Sequence, residues 1–152
     1  MNSEKQESKI FSDNLLPSSF FPINIYKSKT MKKESVLREK SFALSLLVVN
    51  MCRILRGKKK QGILYNQFMR SGTAIGALVS EAEFAQSKAD FINKMSVALK
   101  EANETDYWLK LLQASGDIDQ DIFAPARNLS NEIISMLVAT IRTAKRNGNE
   151  GK

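Results

Sequence analysis

The chain has 152 residues, of which 43% are hydrophobic and only 3 are Pro and 7 Gly, a composition that suits one domain with a real core and leaves little material for a turn-rich β design. No apolar run approaches the ~20 residues of a membrane span, and the absence of His removes the commonest general base and the commonest metal ligand together. The formal net charge of +7 is concentrated in residues 31–66, which carry 9 basic and 2 acidic side chains, and such asymmetry points to a polyanionic partner.

Residues 1–30 are expected to form an N-terminal tail that is disordered or binds a partner. The stretch LLPSSFFPINIY is apolar but interrupted by Pro17 and Pro22, and it lacks the continuous core of a signal peptide. Phe20, Phe21 and Tyr26 would be its contact residues. The domain proper is expected over 31–146, with 147–152 as a short C-terminal tail.

The first helix is predicted from about Ser35 to Arg56. Leu37, Ser41, Leu44, Val48, Met51 and Leu55 alternate steps of four and three, the seam of a bundle helix. Gly57 can stop it in the left-handed conformation. Cys52, the single cysteine, falls in this apolar run and reads as a buried free thiol, suited to a reducing cytoplasm. After a loop containing Lys58, Lys59 and Lys60, the second helix is predicted from Ile63 to Ala85 on a seam of Leu64, Phe68, Ser71, Ile75, Leu78, Ala82 and Ala85. Gly72, Gly76 and Ser80 line one flank. Interior glycines cost about 1 kcal/mol each against Ala, so close packing is expected to require them.

Ser87 and Asp90 form a capping-box signal for the third helix. Its seam is Phe91, Met95, Ala98, Ala102, Thr105, Leu109 and Leu112, and Gly116 ends it. The fourth helix is expected to start between Asp121 and Ala126, with Pro125 in its first turn. Its seam reads Ile122, Ala126, Leu129, Ile133, Met136, Thr140 and Thr143. Together these predict an all-α, antiparallel up-down-up-down four-helix bundle. Apolar residues remain off the seams: Phe42, Leu46, Leu47, Val49 and Ile54 on the first helix, and Ile134, Leu137, Val138 and Ile141 on the fourth. A second buried face made by self-association would account for them.

Three constellations invite chemistry. Asp117, Asp119 and Asp121 have the opening spacing of a calcium loop, but Ile122 stands where the turn glycine belongs and Asn128 where the bidentate Glu belongs. They read instead as an acidic approach to a helix N-terminus. Glu81, Glu101 and Glu104 lack the His that a ferritin-like centre needs. They read as structural ion-pair partners of Arg70 or of an adjacent subunit. Tyr107 and Trp108 beside Lys110 could stack bases, yet aromatics in bundles more often serve the core or an interface. No phosphate loop or nucleophile elbow is present, so no catalytic group, metal site or cofactor is expected.

The candidate nucleic-acid-binding residues are Lys32, Lys33, Arg38 and Lys40 at the start of the first helix, and Arg53, Arg56, Lys58, Lys59 and Lys60 at its end. The helix is about 30 Å long at 1.5 Å per residue, so these are two patches. An ordinary solvated surface would look the same in sequence.

The segment QFMRSGTAIGALVSEAEFAQSKADFINKMSVALKEANETDYWLKLL resembles the bacterial four-helix-bundle proteins first noticed as products of intervening sequences in 23S ribosomal RNA genes. Related proteins are accessory variability determinants of diversity-generating retroelements. The resemblance covers roughly 34–145 and rests on Gln67, Arg70, Ser71, Ile75, Gly76, Ala77, Glu81, the SKADFINK start and ALKEANETDYWL. Leu78 and Ala82 depart from the Asn and Gly usual there. The resemblance implies a homo-oligomer, a pentamer by that likeness, and in the retroelement branch a basic surface for a reverse transcriptase and RNA. The expectation is therefore a non-enzymatic, cytoplasmic, oligomeric accessory protein that binds RNA or a ribonucleoprotein. The alternative is a structural protein-interaction scaffold that never touches nucleic acid.

Overall fold

The computed structural model describes residues 36–57 and 62–147. They form four helices and no strand: α1 Val36–Gly57, α2 Ile63–Ala82, α3 Lys88–Ala114 and α4 Gln120–Arg146. Each helix packs against its neighbour in sequence, and α1 also meets α4. The core draws on all four, with Leu44, Val48, Phe68, Ile75, Leu109, Leu112, Ile133 and Leu137 fully buried.

The seams of α1 and α3 lie where the four-three spacing puts them. Leu37, Ser41, Leu44, Val48, Met51 and Leu55 are all buried, and Cys52 is buried beside them. On α3, Met95 through Leu112 follow the expected positions, with Phe91 half-buried. The seam of α2 shifts slightly. Tyr65 and Val79 are buried, while Leu64 and Leu78 pack from the side. This helix also stops at Ala82, three residues before the expected Ala85, in a turn where Phe84 and Ala85 donate to the carbonyls of Glu81 and Ala82.

The seam of α4 drifts from expectation. Ser130, Leu137 and Ile141 are buried where Leu129, Met136 and Thr140 were expected, and Thr143 is exposed. From Ile122 to Ile141 the buried positions step by four, four, three, four and four, so Ser130 takes the core position in place of Leu129, and Leu137 and Ile141 in place of Met136 and Thr140. Leu137 and Ile141 are thus core rather than surplus. Of the residues off the expected seams of α1 and α4, Phe42 is 52% and Val138 38% exposed, and Leu46 and Val49 are half-buried.

Helix ends are built from local chemistry. Ser87 Oγ accepts the Asp90 amide at 3.1 Å, and the Asp90 carboxylate accepts the Gln86 amide at 3.1 Å. That reciprocal pair starts α3 as the capping-box signal requires, with the return bond one residue earlier than the usual one. At the other end Gly116 has φ +74°. The Gly116 amide donates to Gln113 and the Asp117 amide to Leu112, a Schellman closure that buries Ile118. Gly57, by contrast, is the last residue of α1, and among the described glycines only Gly116 takes a positive φ. Asp119 caps α4, accepting the Ile122 amide at 3.1 Å. This sets the helix start at Gln120, so Pro125 falls in the second turn rather than the first. Its missing amide leaves one carbonyl of the first turn without the usual partner.

The contact between α1 and α2 is close enough to require glycine. A Cβ at position 72 would stand 2.6 and 2.9 Å from the Val48 methyls, and one at position 76 would stand 2.9 Å from Ser45 Oγ. Ser45 Oγ donates to the carbonyl of Ser41 on its own helix and approaches the carbonyl of Gly72 at 3.1 Å across the gap. Val48 is β-branched and stiff at χ1, so it cannot yield. Gly72→Ala should therefore destabilise by about 1–3 kcal/mol through overpacking, although Ala is the better helix former. Pairing it with Val48→Ala should recover part of that loss in a denaturant-unfolding cycle. Strict additivity of the two changes would contradict the contact.

Candidate nucleic-acid interface

The basic side chains of α1 separate into two kinds. Arg38 donates to Glu83 at 2.8 Å, and Lys40 donates to Glu132 at 2.5 Å. These two are engaged within the chain, one toward α2 and one toward α4. Arg53 and Arg56 at the other end of α1 are exposed. Arg53 donates only to Asn50 Oδ1, at 3.4 Å, and neither arginine meets a carboxylate among the described residues. Lys32, Lys33, Lys58, Lys59 and Lys60 lie outside the described residues.

Arg56 lines an open cavity of about 440 Å³ with Gly62, Tyr65 and Asn66. Behind it Tyr65 donates its hydroxyl to Asp117 at 2.9 Å, and Ser115 donates to the same carboxylate oxygen at 3.0 Å. Burial, then the Asp117 bond, pushes the Tyr65 phenol up to about 12. Cys52 lies below, 3.7 Å from the Tyr65 carbonyl. Burial pushes its thiol up to about 11 against the lowering charge of Arg56, so it stays protonated and unreactive near neutral pH. The three aspartates of the calcium-like spacing thus have separate surroundings: Asp117 accepts two hydroxyls, Asp119 caps α4, and Asp121 is exposed in its first turn.

A polar bridge crosses from α2 to α3 on another face. Arg70 Nη1 lies 3.2 Å from both Glu101 oxygens, and its Nη2 donates to Glu104 at 2.6 Å. Gln67 accepts from Arg70 Nε at 3.2 Å. The indole of Trp108 donates to the same Glu104 oxygen at 3.1 Å. Beneath them Thr105 donates to the Glu101 carbonyl at 2.8 Å and lies 3.1 Å from Ser71 Oγ, both side chains buried. Glu81 does not join this bridge; it meets Lys94 at 3.5 Å. Trp108 packs on the core, whereas Tyr107 is exposed and sets its ring edge-on to the indole at 4.9 Å. Among the described residues, no group of His, Cys, Asp or Glu is arranged to hold a metal ion.

One basic cluster escaped the sequence reading. Arg142, Lys145 and Arg146 stand exposed at the end of α4 without a carboxylate partner among the described residues. Their spacing of three and four puts them on one helix face. The signal was legible, but five acidic residues over 117–152 balance five basic ones there and mask it in a tally by segment.

Taken together these features describe a small four-helix bundle with a polar inter-helix bridge and two sets of unengaged cations. The chain belongs to the 23S rRNA-intervening sequence protein family, whose model matches residues 33–139. It is also similar to a crystal structure of a protein of unknown function from the S23 ribosomal protein family of Bacteroides thetaiotaomicron. The two are 44% identical with a TM-score of 0.68, over 70% of this chain and 98% of that one. No curated protein matches the chain. No helix among the described residues is long and apolar enough to cross a membrane.

The bridge makes a pH prediction. The Trp108 indole bond and then Arg70 hold the Glu104 carboxyl below the ordinary glutamate range. A carboxyl lowered on folding stabilises the fold above its unfolded pKa, and that stability is lost as pH falls through the folded value. Trp108→Phe removes the larger cause, so Glu104 should titrate at higher pH than in the wild type, as followed by side-chain carboxyl NMR. An unchanged titration would contradict the indole bond.

Proposed function

We propose that this chain is a non-enzymatic accessory protein that assembles as a homo-oligomer and binds RNA, alone or within a ribonucleoprotein, through basic surfaces. The observation that carries the reading is the contrast along α1. Arg38 and Lys40 are tied to carboxylates, whereas Arg53 and Arg56 are exposed, meet no carboxylate among the described residues and directly precede three lysines in sequence. The fold has no packing use for these cations, and phosphates would supply their counter-charge. The family is named for its place in ribosomal RNA genes, which gives an RNA context. The likeness to retroelement accessory determinants extends the reading to a reverse transcriptase as partner.

The helices are read as an antiparallel up-down-up-down bundle. Val48 beside Gly72, Ser45 beside Gly76 and Arg38 beside Glu83 run in opposite senses along α1 and α2, and the short connection between α3 and α4 suits the same arrangement there. The half-buried apolar residues Leu46 and Val49 of α1 support self-association, and the family resemblance suggests five copies. Light scattering should then give a mass near five times 17.1 kDa. A monomer at micromolar concentration would sink this part of the proposal.

RNA binding through this end should be salt-dependent and largely indifferent to sequence, because lysine and exposed arginine contacts to phosphates read charge. Replacing Arg53 and Arg56 together with Lys58, Lys59 and Lys60 by Ala should leave helicity and oligomer mass unchanged. It should also weaken binding and flatten its dependence on salt, by roughly one counterion for each lost phosphate contact. Titration into structured RNA at several salt concentrations measures both. Equal slopes would move the interface elsewhere, and absence of binding by the wild type at low salt would favour the scaffold.

A further inference from the structure

One end of the bundle gathers exposed apolar side chains from several helices. Val36 opens α1 and is 53% exposed, and Phe84 follows α2 and is 83% exposed. The Arg38–Glu83 ion pair joins the two segments, since each partner lies within two residues of one of these side chains. Four residues beyond Phe84, Lys88 begins α3 at the same end. The short connection after α3 and the Arg127–Asp106 pair bring α4 back along it, so the last turns of α4, with Val138 38% exposed, lie beside the first turns of α3. From the Lys40–Glu132 pair, α1 has about one turn left before its start, whereas α4 has nearly four turns left before its end. The last turns of α4 therefore run on beyond the beginning of α1.

We infer that residues 15–26 of this same chain dock on that end, over Phe84, Val36 and Val138. Four observations favour this occupant. The 35 residues before Val36 enter the bundle here, at the patch itself. Their stretch Leu15–Tyr26 contains Leu15, Leu16, Phe20, Phe21, Ile23, Ile25 and Tyr26 and no charged residue, so its affinity is for apolar surface and not for the basic patches. Pro17 and Pro22 keep it from continuing as a helix away from the bundle. The family match runs from 33 to 139, and it leaves both this stretch and the last two turns of α4 outside it.

Reach is not limiting. Nine residues separate Tyr26 from Val36, and at about 3.3–3.6 Å each they span up to roughly 30 Å. A tether of that length gives the segment a high effective concentration at the patch, so shallow apolar contacts suffice to hold it. The assignment does not depend on RNA binding and stands or falls separately from it.

Disulfide trapping in the full chain tests it. Phe21→Cys combined with Phe84→Cys should cross-link within one chain under mild oxidation. Phe21→Cys combined with Tyr107→Cys, on the outer face of α3, should give little. Both altered positions on the bundle are exposed, and Cys52 is buried with a raised pKa, so the background reaction is low. As a second measurement, Phe84→Ser should speed amide exchange across residues 15–26 several-fold while leaving the core helices protected. Equal cross-linking of the two pairs, cross-links only between chains, or unchanged exchange in Phe84→Ser would each overturn the inference.

Discussion

Helix α2 lies against α1 at a distance that only glycine permits. At positions 72 and 76 the Val48 methyls and the Ser45 hydroxyl occupy the space a Cβ would need. This contact sets the register of the first helix pair: the Arg38–Glu83 pair at one end and the contact of Cys52 with the Tyr65 carbonyl toward the other follow from it. The opposite face of α2 then meets α3 through Ser71, Thr105 and the Arg70 bridge. A shift of one residue in the first pair would turn the Arg70 face away from Glu101 and Glu104. The two interior glycines lower helix propensity and specify where every later contact falls.

Much of this was legible in the sequence, and for identifiable reasons. The seams of α1 and α3 were legible because Leu37 to Leu55 and Met95 to Leu112 hold the four-three alternation through their buried positions. The seam of α4 was not, because Ser130 occupies a core position while Leu129 and Met136 flank it. A polar residue in the core and apolar residues beside it invert the pattern that periodicity reads. Among the described residues the hydroxyls of Ser130 and Ser41 are buried and meet no hydrogen-bond partner, a cost of about 1–3 kcal/mol each when unrelieved. The Ser87 cap and the Gly116 stop were legible, whereas Asp119, read only as part of an acidic approach, proves to be the cap of α4, and Gly57 does not take the positive φ expected of it.

The candidate interface was legible only in part. Sequence shows where cations are, but not which of them already have partners. Arg38 and Arg53 read alike in the first helix, and only the fold separates them, because the carboxylate of Glu83 lies 45 residues away. The same holds for Lys40 and Glu132, 92 residues apart. Pairing across such distances depends on the helix register and therefore on the glycine contact. The field outside the molecule is thus shaped less by the total of +7 than by which cations the interior contacts leave over. Exposed pairs of this kind contribute little to stability, so their main effect is to decide where positive charge remains available.

Trp108 is the only tryptophan in the chain, and its indole N–H is bound to the glutamate that Arg70 holds from the neighbouring helix. Its emission therefore reports the meeting of α2 and α3 with no added label. When the bridge opens, the indole loses a charged acceptor and gains water, and its spectrum changes with them. The bundle thus carries an intrinsic optical probe at the junction on which its register converges.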